Sequence, residues 1–424
     1  MAHTTVSPGA AFEPAGLPLS DAIVRRLAGV KPYVLVGQLF IVIGTLTMFG
    51  AIQGQIVLDD TLFLGFGAIG CAVPLLAPRE SVRHVFVSLP LLLLYAYLVC
   101  SVAWVSSFMP YRAAFQQQVP MVIAGVFVAS ILPFDKIVQA LKAAFIAGML
   151  LSFFAVLVDP AARIHDLEDG TMFTGWRGSF EHKNGLVPFV LLAVMTFILF
   201  ERRRWLRLAV FASAAVLIIG SQSATGLSCA IVLGGAAWWL RSYLKQDLRL
   251  SGSYVALSLF GAVVMAIAIS LLLPWIVNLY GKDLTFTNRT EIWSTSVDAI
   301  GDSPWIGYGW NGVWIDEDVE PTVSMNREIG FVAGHAHNSV LEMLLEGGVI
   351  GLALYAVFWG SVAVAAWRAL RTHPDIARWV LLFLTAQAVV GVSEVTLYHG
   401  WIFTLVLMRG ILAQQLSTTT RARS

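Results

Sequence analysis

Long apolar runs, separated by short basic or polar turns, set the pattern of this chain. Scanned for the roughly 20 residues that a helix needs to cross a hydrocarbon core, it shows twelve such runs. They lie near residues 33–52, 61–77, 86–106, 118–134, 139–158, 185–200, 207–220, 226–240, 253–280, 348–367, 379–397 and 400–415. None has the polar–apolar alternation of barrel strands, and backbone amides in lipid must bond within their own segment, so the runs predict helices. Two polar stretches, 159–184 and 281–337, break the pattern. The second contains Trp293, Trp305, Tyr308, Trp310 and Trp314, an aromatic content foreign to disordered segments. It therefore predicts a folded loop. Its opening, Thr287-Asn288-Arg289-Thr290-Glu291, offers N-cap residues before an apolar face at Ile292, Trp293, Ser296, Val297 and Ile300. That spacing predicts a short amphipathic helix ending at Gly301.

The expected organisation is a tail over 1–32, nine helices over 33–280, the large loop 281–337, three helices over 338–415 and a tail over 416–424. The expected fold class is an all-α integral membrane protein. Composition agrees: of 424 residues 58% are apolar and only 12% charged, about half the charge of a soluble domain. Soluble enzymes, disordered regulators and disulfide-stapled secreted domains are excluded, and nothing reads as nucleic-acid recognition. Cys71, Cys100 and Cys229 lie in separate apolar runs without metal-type spacing and read as packing residues.

The net charge of +1 conceals an asymmetry. With a cytoplasmic N-terminus, the outer segments hold seven of the 27 Lys and Arg (Arg112, Arg163, Arg177, Lys183, Lys282, Arg289 and Arg327). The inner segments hold nineteen, and Arg409 sits in the last run. The positive-inside rule then predicts both termini in the cytoplasm. Residues 1–24 are polar with no apolar h-region, so the first run is expected to act as the targeting signal.

Ionisable residues within the runs are few: Glu394 and Arg409 toward the ends of the last two helices, and Glu342 and Glu346 at the start of the tenth. No acidic relay crosses the midplane, which counts against a solute transporter or flippase. Polar groups gather instead at the outer face, in four clusters: Trp176–Asn184, Ser221–Thr225, Asn288–Glu291 and His335–Asn338. Each has a plainer reading. Arg177 and Lys183 serve equally as interfacial anchors, and Arg289 as an ion-pair partner in a loop with nine acidic residues. The serines serve equally as donors to helix carbonyls, and the tryptophans as belt residues. His335 and His337, at i and i+2, suit a metal, but no third ligand is obvious nearby. Gly307-Tyr308-Gly309-Trp310-Asn311-Gly312 has the spacing of a dinucleotide loop without its strand–turn–helix context. It reads as a tight turn presenting aromatic rings.

His337-Asn338, nine residues, then Gly348-Val349-Ile350-Gly351 resembles the H-N-x9-G-x-x-G signature of the O-antigen ligase and Wzy-type polymerase superfamily. Asn288–Trp293 followed by Asp302–Gly309 looks like that family's large periplasmic loop. Phe180–Asn184 and Ser221–Thr225 are similar to blocks of its ExoQ-like exopolysaccharide-polymerase branch. The likeness covers roughly residues 170–400, and departs where members commonly carry an arginine and this chain has Ala224.

The resemblance implies an inverting membrane glycosyltransferase using neither nucleotide sugar, cofactor nor metal. Its donor would be an undecaprenyl-diphosphate-linked glycan. Its acceptor would be another lipid-linked repeat (polymerase, the favoured reading) or lipid A–core (ligase), with other polysaccharide-assembly proteins as possible partners. The residues suit that chemistry. A base near neutral pKa takes the acceptor proton, and fixed arginines receive the leaving diphosphate. His337 is the expected base, with His335 and His182 in reserve. Arg289 and Arg177 are the expected clamps, with Lys183 assisting. Asn338 and Glu342 would orient the site, Trp293, Trp305 and Trp310 would stack on sugars, and Asn184, Ser221 and Ser223 complete the binding set.

Overall fold

The computed structural model describes residues 29–52, 60–83, 85–166, 172–245 and 289–421. The expected run 253–280, Lys282 and the Thr287–Asn288 cap lie outside these. The described chain is helical apart from one small antiparallel pair, β1 (Ile164–Asp166) and β2 (Met172–Thr174). The membrane bundle begins with α1 (Pro32–Met48), α2 (Asp60–Cys71), α3 (Leu89–Cys100), α4 (Phe108–Ile131) and α5 (Phe134–Val158). It continues with α6 (Lys183–Phe200), α7 (Arg204–Ser221) and α8 (Ala224–Lys245). After the surface helices α9 (Arg289–Asp302) and α10 (Thr322–Ile329) come α11 (Ser339–Ala369), α12 (Pro374–Val390) and α13 (His399–Arg421). Among the described residues five helices, α4, α5, α6, α7 and α11, are long and apolar enough to span a bilayer. Proline sits in the first turn of α1, α3 and α12, where its missing amide costs nothing and its fixed φ suits the helix.

The bundle packs α4 against α2 and α13, α1 against α5, and α12 against α8 and α11. Its core is aromatic and aliphatic: Phe145 and Phe180 meet Phe189 edge-on, and Phe40 meets Phe403. A second, smaller core joins α9, α10 and the start of α11 through Ile292, Ala299, Trp314, Met325, Ala336 and Leu345. These residues make the aromatic-rich loop a folded cap.

Several boundaries depart from the hydropathy pattern for identifiable reasons. Helix α4 starts at Phe108 rather than 118, because Gln116–Gln118 lower the local hydropathy without opposing a helix, and Gln118 is itself buried. Helix α12 stops at Val390, so Glu394 lies in a non-helical turn. Helix α11 begins at Ser339 but carries a non-helical residue at Gly348, where the membrane run was expected to begin. Gly348 has φ +59°, and a Cβ there would lie 2.2 Å from the Trp305 carbonyl carbon. Residues 304–309 fill the break: the Val349 amide donates to the Pro304 carbonyl at 2.8 Å, and the Tyr308 amide to the Leu345 carbonyl at 2.7 Å. The break therefore locks the cap onto the bundle. Helix α9 forms where expected and ends at Asp302, one residue past Gly301; α10 and the β pair left no clear periodic signal in the sequence.

Candidate functional site

Helix termini meet where the cap joins the bundle. The N-terminus of α11 is organised by Asn338, whose Oδ1 accepts from the Val340 and Leu341 amides at 2.9 and 3.1 Å. Those are two of the donors that a helix start leaves unpaired. Glu342 reaches back from the first turn, and its Oε2 accepts the Ala336 amide at 2.7 Å. Between these two anchors His337 adopts φ +49°, a conformation that L residues occupy only when their surroundings impose it. Its amide donates to His335 Nδ1 at 3.1 Å, and the two imidazole rings lie 3.9 Å apart. Trp293 Nε1 donates to the Ala336 carbonyl at 2.9 Å, tying α9 to the same turn.

The turn between α12 and α13 brings in Glu394, which the sequence reading placed within an apolar run and gave no role at the site. Its Oε1 accepts from Arg289 Nη2 at 2.7 Å and from Asn184 Nδ2 at 2.6 Å. Its Oε2 lies 3.4 Å from His337 Nδ1. Ser223 Oγ bonds Asn184 Oδ1 at 3.4 Å. Residues 184, 223, 289, 337 and 394 thus converge from five separate segments. The signal for Glu394 was available: a carboxylate in an otherwise apolar stretch marks a functional position by default.

The remaining expected site residues divide. His182 caps α6, its Nδ1 accepting the Asn184 amide at 3.2 Å, and Lys183 is buried in the first turn. Ser221 donates to the Ile218 carbonyl at 2.7 Å and accepts the Ser223 amide, so it closes α7. Arg177 is engaged along its own loop. Its Nε donates to the Ala161 carbonyl at 2.9 Å, Nη1 to the Phe180 carbonyl at 2.8 Å, and Nη2 pairs with Asp159 at 3.7 Å. Trp310 is fully buried against Tyr95, Tyr111 and Tyr398, so no ring face is available to a sugar there. The glycine-rich turn at 307–312 directs this ring inward. Trp305 is 67% exposed.

Burial, the largest cause, lowers the His335 imidazole to about 4; the ring is neutral at physiological pH. For Glu394 burial opposes the charge, but His337 and the Arg289 guanidinium outweigh it and hold the carboxyl down at about 2. The site therefore presents a fixed carboxylate between a guanidinium and an imidazole. Among the described residues Arg289 engages Glu394 through Nη2, and a guanidinium fork can also grip phosphate oxygens. Atoms of His335, His337 and Glu394 lie within 4.8 Å of one another, and Glu394 is the third ligand that the histidine pair lacked in the sequence. The trio has donors of the types that zinc accepts.

Residues 181–356 match the family model described as O-antigen ligase. The match takes in the His337 turn and the opening of α9. The exopolysaccharide production protein ExoQ of Rhizobium meliloti is 29% identical over 264 residues, 58% of this chain and 60% of its own length. The O-antigen ligase of Pseudomonas aeruginosa is 28% identical over 179 residues, 41% of this chain and 40% of its own length. The chain thus covers less than two thirds of either relative. The matched stretch includes Asn184, Ser223, Arg289, His335, His337, Asn338 and Glu342; Arg177 precedes it and Glu394 follows it.

Proposed function

We propose that this protein is an inverting glycosyltransferase of polysaccharide assembly. It takes a glycan from an undecaprenyl-diphosphate carrier at the periplasmic face of the inner membrane and joins it to another lipid-linked repeat. Loops 159–184 and 281–337 face the periplasm and both termini face the cytoplasm, in keeping with the distribution of Lys and Arg. One observation carries the reading: a histidine, an arginine and a carboxylate from three distant segments meet at the mouth of an apolar bundle. That arrangement suits attack by a hydroxyl on an anomeric carbon with a diphosphate leaving. The acceptor O–H proton passes to His337 as the new C–O bond forms. The old C1–O bond breaks on the opposite face, and its electron pair leaves with the lipid diphosphate, whose charge faces Arg289. The reading requires no metal, since Glu394 Oε1 is already held by Arg289 and Asn184 and a guanidinium stands beside the trio.

Polymerisation is favoured over ligation on the Phe180–Asn184 block, which is similar to the exopolysaccharide-polymerase branch, and the alignment with the exopolysaccharide production protein is the longer of the two. The ligase reading rests on the shorter alignment and on the family description. The test is purified protein given a short undecaprenyl-diphosphate oligosaccharide in EDTA, with products resolved by size. A ladder of lengthening glycans establishes a metal-independent polymerase. Transfer only after lipid A–core is added makes it a ligase, and no transfer in either arm, from folded protein, refutes the enzyme and favours a transporter.

A further inference from the structure

Glu394 belongs to none of the sequence blocks that suggested the chemistry and lies beyond residue 356, where the matched stretch ends. Its backbone is nonetheless fixed: Ser339 Oγ donates to its carbonyl at 3.1 Å and its amide donates to the Val390 carbonyl at 2.9 Å. Ser339 also accepts the Thr396 amide at 2.9 Å, so the first residue of α11 and the α12–α13 turn form one unit. The carboxylate, 14% exposed, faces three groups with its two oxygens: Arg289 and Asn184 on Oε1, His337 on Oε2.

Resting on the glycosyl-transfer reading, we propose that Glu394 is the positioning residue for His337, directing the Nδ1 proton to itself and the Nε2 lone pair to the acceptor hydroxyl, while holding Arg289 beside the ring. To act as a base the imidazole must carry a single proton, and a carboxylate only accepts; the nitrogen facing Glu394 at 3.4 Å is then the protonated one. Nε2 remains as the base. When Nε2 takes the hydroxyl proton, the imidazolium charge forms next to a carboxylate that is already ionised. At 3.4 Å the contact is long, as such contacts are before substrate closes the site. The left-handed backbone of His337 and the staples from Glu342 and Asn338 aim the ring toward Glu394.

Glu394→Gln keeps an oxygen for Arg289 and Asn184 but turns an N–H toward His337, which stabilises the wrong tautomer. The experiment measures kcat and KM for the lipid-linked donor, in EDTA, for the unaltered protein, His337→Ala, Glu394→Gln and Glu394→Asp. The expected result for Glu394→Gln is KM within about threefold and kcat down by at least about 100-fold, within the range supplied by a positioned base. Glu394→Asp, which restores the acceptor at shorter reach, should recover part of that loss. Wild-type kcat in Glu394→Gln overturns the proposal, as does a raised KM at unchanged kcat, which would make Glu394 a binding residue. If Glu394→Gln does not fold, Glu394→Asp decides alone: lowered kcat at unchanged KM supports the proposal, and wild-type kcat overturns it. Normal turnover by the unaltered protein with an inactive His337→Ala keeps the glycosyltransferase reading whatever Glu394 does. No transfer by the unaltered protein, or transfer abolished by EDTA and restored by zinc, overturns the tautomer role and the metal-free reading together.

Discussion

Arg289 and Arg177 look alike in the sequence, each beside other polar residues at the outer end of an apolar run, and both suit a diphosphate. The structure separates them by what they touch. Arg177 directs its nitrogens to two backbone carbonyls and Asp159, and so ties residues 159–162 to the start of the Phe180 turn. Arg289 is nine-tenths buried and, among the described residues, bonds one carboxylate, Glu394, which also faces His337. A guanidinium engaged by its own loop's carbonyls has its donors committed; one held by a single carboxylate at one nitrogen keeps donors for a ligand. The difference shows Arg177 tied into its own loop and Arg289 tied to Glu394, and on the proposed function it is Arg289 that would meet the diphosphate.

The strongest way to break this comparison is to remove the base beside which either arginine would have to act. His337→Ala should lower transfer by about 1,000-fold, within the range of a positioned base, with protein abundance near wild type. Collapse of abundance on immunoblots would make His337 structural. Arg289→Lys comes next. It keeps the charge and loses the planar fork, and donor turnover should fall by roughly 10- to 100-fold with the thermal midpoint in detergent little changed. Full activity would return Arg289 to the role of a simple ion-pair partner. Arg177→Ala should behave in the opposite way, with kcat within about threefold of wild type and a lowered thermal midpoint. An inactive yet stable Arg177→Ala would reinstate it as a clamp and erase the contrast.

The apolar periodicity made the helical class legible, and the H-N-x9-G-x-x-G spacing pointed to the His337 turn. The structure gives that spacing a physical content: Asn338 caps α11, Glu342 staples Ala336, and Gly348 opens the break that the Trp305 backbone fills. Glu394 was not legible as a partner. Its neighbours Asn184, Arg289 and His337 are far away in sequence, and hydropathy alone extended the helix over it. Trp310 misled for the opposite reason: composition places aromatics in the loop, but only packing tells which ring turns inward.

Acidification sharpens the comparison within the site. His335 is held below its ordinary value, at about 4, so as pH falls below about 6.5 the unfolded chain takes up its proton first and stability declines until about pH 4. Glu394, also depressed, contributes stability above about pH 4.5 that is lost toward pH 2. Both act in the same direction, in adjoining windows. The thermal midpoint in detergent should therefore fall on going from pH 7 to pH 5, and His335→Gln should flatten that fall. An unchanged slope would mean that the His335 proton is not coupled to folding.

The smallest effect is expected at Arg163. It is exposed, and its amide donates to the Pro160 carbonyl, next to the Ala161 and Ala162 carbonyls that receive Arg177. Its side chain has no hydrogen bond or ion pair to another described residue, so Arg163→Ala changes the charge of the 159–184 segment without touching its architecture. Transfer and thermal midpoint should both remain within error of wild type. A loss of donor affinity that disappears at high salt would mean that this segment attracts the diphosphate by net charge rather than by placed donors. Arg177 would then contribute through the field of its loop, and the division between a committed arginine and an available one would need to be redrawn around charge density instead of hydrogen-bond geometry.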